Sequence, residues 1–140
     1  MGQKSHQNMI QKEEVFKPQS EFPLLERYSK VFPITPETIF AYDNKIYANY
    51  DLTPDLVVHE YTHWKQQAEY GLDRWVDNYL SNPEFRLKME LEAYKAQLAS
   101  IKDREYRNKI RIQSAINLSS DLYGDIITPQ GALRLLKWLN

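Results

Sequence analysis

Two of the three histidines in this 140-residue chain stand four residues apart, in His59-Glu60-Tyr61-Thr62-His63. On an α-helix that spacing turns the two side chains about 40° from each other and stacks them one turn apart, so both imidazoles can close on one ion. The glutamate between them is then free to act as a general base toward a water that the ion activates. The spacing is a zinc-site signature, and a catalytic zinc requires a third protein ligand and one open position. The alternative is two ordinary helix residues, one in a core hydrogen bond and one solvated. Helix-boundary signals on both sides of the motif and an acidic run downstream weigh against it.

The chain has no cysteine, so His, Asp and Glu are its only strong metal ligands, and disulfides, thiolate catalysis, zinc fingers and iron–sulfur clusters are excluded. A third ligand must come from elsewhere in the chain, and a predicted downstream helix offers Met89-Glu90-Leu91-Glu92-Ala93-Tyr94. Glu90 and Glu92 lie about 200° apart around a helix, so only one of them can face an ion held by His59 and His63. For Glu90 the competing role is a solvated charge beside Arg86.

The elements that must position these residues follow from local signals. Thr53-Pro54-Asp55 offers a capping hydroxyl, a proline at the first helical position and an acid in the first turn, and Gly71 offers a stop, which predicts a helix over 54–70. Leu72 to Leu80 predicts a second helix. Asn82-Pro83-Glu84 repeats the cap-then-proline start for a third, running to about 101. A fourth is expected over 103–118, with Ile110, Ile112, Ile116 and Leu118 as core contacts. After a 118–124 loop, Thr128-Pro129 opens a last helix carrying Leu133, Leu136 and Leu139. Upstream, 38–42 and 45–50 are rich in β-formers and flank Asp43-Asn44, which predicts a hairpin. A short helical turn fits 23–30. Residues 1–20 are polar and without period, and read as a flexible arm or a segment ordered on a partner. The fold class is α+β: a small single domain over 21–140, with an N-terminal β-hairpin followed by a helical bundle that carries the two-histidine helix.

These residues resemble the gluzincin metallopeptidases, whose HExxH helix is joined by a Glu from a downstream helix, commonly in an ExxxD or ExxAD pattern. Glu90-Leu91-Glu92-Ala93-Tyr94 matches that pattern from its first Glu. The resemblance implies a zincin-like domain with His59, His63 and Glu90 as zinc ligands and Glu60 as the base. Tyr94 departs from it, standing where many gluzincins have an Asp that supports a ligand histidine, and a tyrosine is a weaker orienting partner. The runs 59–67, 83–86 and 90–97, with Leu122-Tyr123-Gly124, are similar to small HExxH proteins of tailed phages and bacteria. That likeness implies a peptide or protein substrate and a bacterial or phage-infected cytoplasm, with virion association as a variant. From related enzymes, Tyr123 is the candidate for stabilising the oxyanion, and a substrate strand would add to an edge of the hairpin.

Near-neutral charge, 18 Lys+Arg against 19 Asp+Glu, argues against a bulk electrostatic grip on nucleic acid. No stretch approaches the roughly 18 apolar residues of a membrane span. The basic residues from Lys102 to Arg111 read as a solvated helix face, and Trp64, Trp75, Tyr79 and Phe85 as core or cleft wall. Two other functions fit the same residues. One is a structural or interaction protein that retains a zinc site without turnover. The other is a regulatory peptidase of one partner, with the 1–20 arm as docking segment or propeptide.

Overall fold

The computed structural model describes residues 14–120 and 126–137. The chain divides after Asp51 into two compact units. The expected α+β class holds, with a small sheet in the first unit and a helical bundle in the second.

In the first unit Asp43 and Asn44 both take positive φ, 51° and 61°, the backbone that a two-residue hairpin turn demands. They join β2 (Phe40–Tyr42) to β3 (Lys45–Tyr47), with Ala41 opposite Ile46. On the other side of β3 lies β1 (Phe16–Lys17), parallel, with Phe16 opposite Ile46. The strand order is therefore β1-β3-β2. Residues 16–21 thus belong to the ordered unit and correct the arm boundary drawn near residue 20. Two backbone pairings carry no sequence period, and the Gln19 amide adds bonds of 2.8 Å to the carbonyls of Thr35 and Thr38. Phe22, 3% exposed, anchors the unit, stacked on Phe40 at 4.3 Å and edge-on to Tyr28 at 4.9 Å. Tyr28 comes from α1 (Leu25–Ser29).

The second unit comprises α2 (Pro54–Tyr70), α3 (Leu72–Ser81), α4 (Pro83–Ala99), α5 (Arg104–Leu118) and α6 (Pro129–Lys137). Boundaries follow the local signals closely. Gly71, at φ 91°, breaks α2 from α3. The Asn82 side chain accepts from the backbone N–H groups of Glu84 and Phe85 and so caps α4, and Asp103 accepts from Tyr106 N to cap α5. Thr53 occupies the cap position of α2 in extended backbone, but its side chain makes no capping bond. Helix α2 packs against α4, α3 joins both, and α5 packs on α4 and α6.

An apolar core of Leu98, Ile101, Ala115, Leu118, Ala132 and Leu136 links α4, α5 and α6. Two expected core residues of α5 are instead exposed, Ile112 at 55% and Ile116 at 52%, as is Leu133 of α6 at 37%. Apolar residues occupy opposite sides of α5, and the side with Ser114 and Ala115 is the one buried, because small side chains let a neighbouring helix approach closely. Leu139 lies outside the described residues. Arg107 is not merely solvated: its guanidinium donates to the carbonyls of Ile101 and Lys102, tying down the turn after α4. Among the described residues no helix is long and apolar enough to cross a membrane.

Leu118→Ala should lower stability by about 2–5 kcal/mol, the range for cavity-forming core truncations. Ile112→Ala should stay within about 0.5 kcal/mol. Urea unfolding of the two variants beside the wild type measures the difference.

Candidate metal centre

Helix α2 carries His59, Glu60 and His63, and α4 lies against it with Glu90 facing the two imidazoles. Met89 and Ala93 beside Glu90 on α4 are both fully buried, and the Met89 carbonyl accepts from Gln66 of α2. Glu90 Oε1 lies 2.9 Å from His59 Nε2, and Glu90 Oε2 lies 3.1 Å from His63 Nε2. One ligand atom from each of the three residues falls within 4.8 Å of the others. All three are buried, at 5–6% exposure. Glu92, the alternative third ligand, is exposed, and its nearest bond is a long 3.5 Å contact from Gln66 Nε2.

Both imidazoles are held from behind by glutamine amides, which the sequence reading had not singled out. His59 Nδ1 lies 2.9 Å from Gln97 Oε1, and His63 Nδ1 lies 2.9 Å from Gln66 Oε1. An amide oxygen only accepts, so each Nδ1 donates to its glutamine, and each Nε2 is the nitrogen turned toward Glu90. Gln66 cannot turn over. Its Nε2 donates to Met89 O at 3.0 Å, and Trp75 Nε1 donates to its oxygen at 3.3 Å. The only sequence signals for these partners are helical offsets, one turn from His63 to Gln66 and two turns from Glu90 to Gln97.

Tyr79 from α3 donates to Glu90 Oε2 at 2.5 Å and stacks on Trp75 at 4.7 Å. Arg86 donates to the Tyr79 carbonyl and lies 5.9 Å above its ring. Tyr94 leaves the orienting bond to Gln97. Its ring meets His59 edge-on at 4.5 Å, and its hydroxyl accepts from Asn117. Tyr123 lies outside the described residues.

The electrostatics follow from burial and mutual proximity. Burial works against the charge on His63, but adjacent Glu90, with smaller help from Glu60 and Gln66, raises the imidazole to about 9. Burial also works against the Glu90 charge, yet His63 and His59 outweigh it and hold the carboxyl well below its ordinary value. Burial pushes the Glu60 carboxyl up, with Glu90 adding to the rise and the two histidines opposing it. Among the described residues Glu60 accepts no hydrogen bond, and it is itself only 5% exposed.

No protein family, curated protein or solved structure matches the chain. What the centre can do follows from its donors. Two neutral imidazole Nε2 atoms and one carboxylate form a three-ligand set suited to a divalent ion. Tetrahedral zinc with bonds of about 2.0–2.1 Å spaces neighbouring ligand atoms by about 3.3 Å. The 2.9 and 3.1 Å separations lie close to that but run to different oxygens of Glu90, and one donor atom from each residue lies within 4.8 Å of the others. In the metal-free protein a proton on His63 occupies the place that such an ion would take.

Elemental analysis after incubation with zinc should find about one ion per chain, lost in His59→Ala and Glu90→Ala and kept in Glu92→Ala. The His63 proton must leave as the ion binds, so affinity should rise about tenfold per pH unit up to about 9 and then level off. Metal-free protein shows the opposite trend. His63 stabilises the fold fully below its unfolded value of 6.5, and this contribution is lost as pH rises through about 9. Melting temperature against pH, with and without zinc, checks the sign.

Proposed function

We propose that the protein is a zinc-dependent peptidase of the gluzincin type, with His59, His63 and Glu90 holding the ion and Glu60 serving as the base. One observation carries this reading: His59, His63 and Glu90 converge as three donors, one fewer than a closed structural zinc site uses, and the Glu60 carboxylate lies close enough to feel the charge of all three. Zinc, when bound, supplies a Lewis acid that lowers the pKa of a water and polarises the carbonyl to be cleaved. Glu60 takes the proton from the attacking water and passes it to the leaving amine. Its raised pKa brings it closer to the value that suits a base which must later act as an acid. Gln66 and Gln97 keep the imidazoles in the ligating tautomer, and Tyr79 holds the Glu90 carboxylate.

The depth of the centre favours a second reading. His59, Glu60, His63 and Glu90 are each no more than 6% exposed. A zinc held for stability by a non-catalytic interaction protein would be equally shielded, and such sites are normally closed by four protein ligands.

Glu60→Gln should retain about one zinc per chain and lose hydrolysis of a fluorescently labelled unfolded protein by about 10²–10⁴-fold. Zinc-edge absorption spectroscopy should find two imidazoles and light oxygen donors, one of them exchangeable. Stoichiometric zinc with four protein ligands and no turnover would establish the structural reading instead.

A further inference from the structure

Gln97 is the orienting amide of the centre whose NH₂ end is held by a buried carboxylate rather than by a backbone carbonyl. Its Nε2 donates to Asp55 Oδ2 at 2.7 Å, its Oε1 meets His59 Nδ1 at 2.9 Å, and it is 2% exposed. An amide has nearly the same shape either way round, so sterics alone do not choose between its two orientations. Asp55, 5% exposed, sits one turn before His59 on α2, on the same face. Its carboxylate accepts only, and so the NH₂ end of Gln97 must face it and the oxygen end must face His59. From α5 the Tyr106 hydroxyl donates to the other oxygen, Asp55 Oδ1, at 3.0 Å and fixes the carboxylate in place. Gln66 has no comparable dependence, because the Met89 carbonyl holds its direction and a backbone carbonyl cannot become a donor.

We infer that Asp55 is a positioning residue for the metal centre: through Gln97 it keeps a proton on His59 Nδ1, so that Nε2, the nitrogen turned toward Glu90, is the one that binds the ion. The chain Tyr106, Asp55, Gln97, His59 does for His59 what a carboxylate in direct contact does where position 94 is an acid rather than a tyrosine. With the carboxylate gone, Gln97 can turn over and present NH₂ to Nδ1. Nδ1 then cannot keep its proton, and the remaining one is held on Nε2, the atom that must bind the ion. The link to metal binding rests on the proposed role of His59 as a ligand, whereas the control of amide direction does not.

The test is Asp55→Asn, a nearly isosteric change that allows either amide direction. Nitrogen-15 spectra of the histidine rings are recorded on metal-free protein, and zinc affinity is measured by competition with a chelator. Wild type should show His59 Nδ1 protonated. Asp55→Asn should leave Nδ1 unprotonated and weaken zinc binding by about 10–100-fold. A purely structural role would lower the melting temperature without changing which nitrogen carries the proton. A folded Asp55→Asn protein with Nδ1 still protonated overturns the proposal, whatever its zinc affinity. Should that variant not fold, Gln97→Met removes the acceptor while keeping the length of the side chain, and zinc affinity within about twofold of wild type would overturn the proposal equally. A wild type that binds no zinc refutes the metal reading alone, since the dependence of the Nδ1 proton on Asp55 is still decided in the metal-free spectra.

Discussion

A carboxylate held between two imidazoles, with almost no access to water, is the constraint around which the helical unit is arranged. Removing a carboxylate from water costs several kcal/mol unless its charge and lone pairs are answered. Glu90 is answered by His59 on one oxygen, and by His63 and the Tyr79 hydroxyl on the other. Those partners come from α2 and α3, while Glu90 comes from α4. A slip of one residue between α2 and α4 would leave the carboxylate uncompensated, so the electrostatics reinforce the register of the two helices, in which Met89 and Ala93 are fully buried.

The unit therefore has two interiors of different character. Between α4, α5 and α6 lies an ordinary apolar core around Leu98, Leu118 and Leu136. Between α2, α3 and α4 lies a polar one, in which Asp55, Gln66, Arg86 and Gln97 are all buried. Leu98 and Gln97 are neighbours in sequence and face different interiors. Helix α4 must serve both, which explains why its polar residues are not confined to a solvent side. A polar interior is stable only when its donors and acceptors find partners, and here the two amides do most of that pairing. The arrangement also fixes the orientation of both imidazoles through their Nδ1 atoms.

Much of this was legible in local sequence, because its physics is local. The cap at Asn82, the break at Gly71 and the turn at Asp43-Asn44 depend on a few neighbouring residues, and each stands where the signal placed it. The strand at Phe16–Lys17 was not legible, since its two pairings depend on a distant strand. On α5 the spacing could not choose between a face with Ile112 and Ile116 and a face with Ser114 and Ala115. The neighbouring helices buried the smaller residues.

The centre divides along the same line. The sequence by itself determined that His59 and His63 share one helical face with Glu60 between them, because a four-residue offset fixes direction in any α-helix. It also narrowed the third donor to Glu90 or Glu92. Only the tertiary structure decided that Glu90 is the one turned inward, because that depends on how α4 rotates against α2. Only the tertiary structure could turn Asp55 from a helix-start signal into a buried acceptor, and Gln66 and Gln97 from unremarked amides into the groups behind the ligands. Hydrogen bonds between residues up to 51 positions apart leave no period and no motif in the chain, since they are set by distance in space.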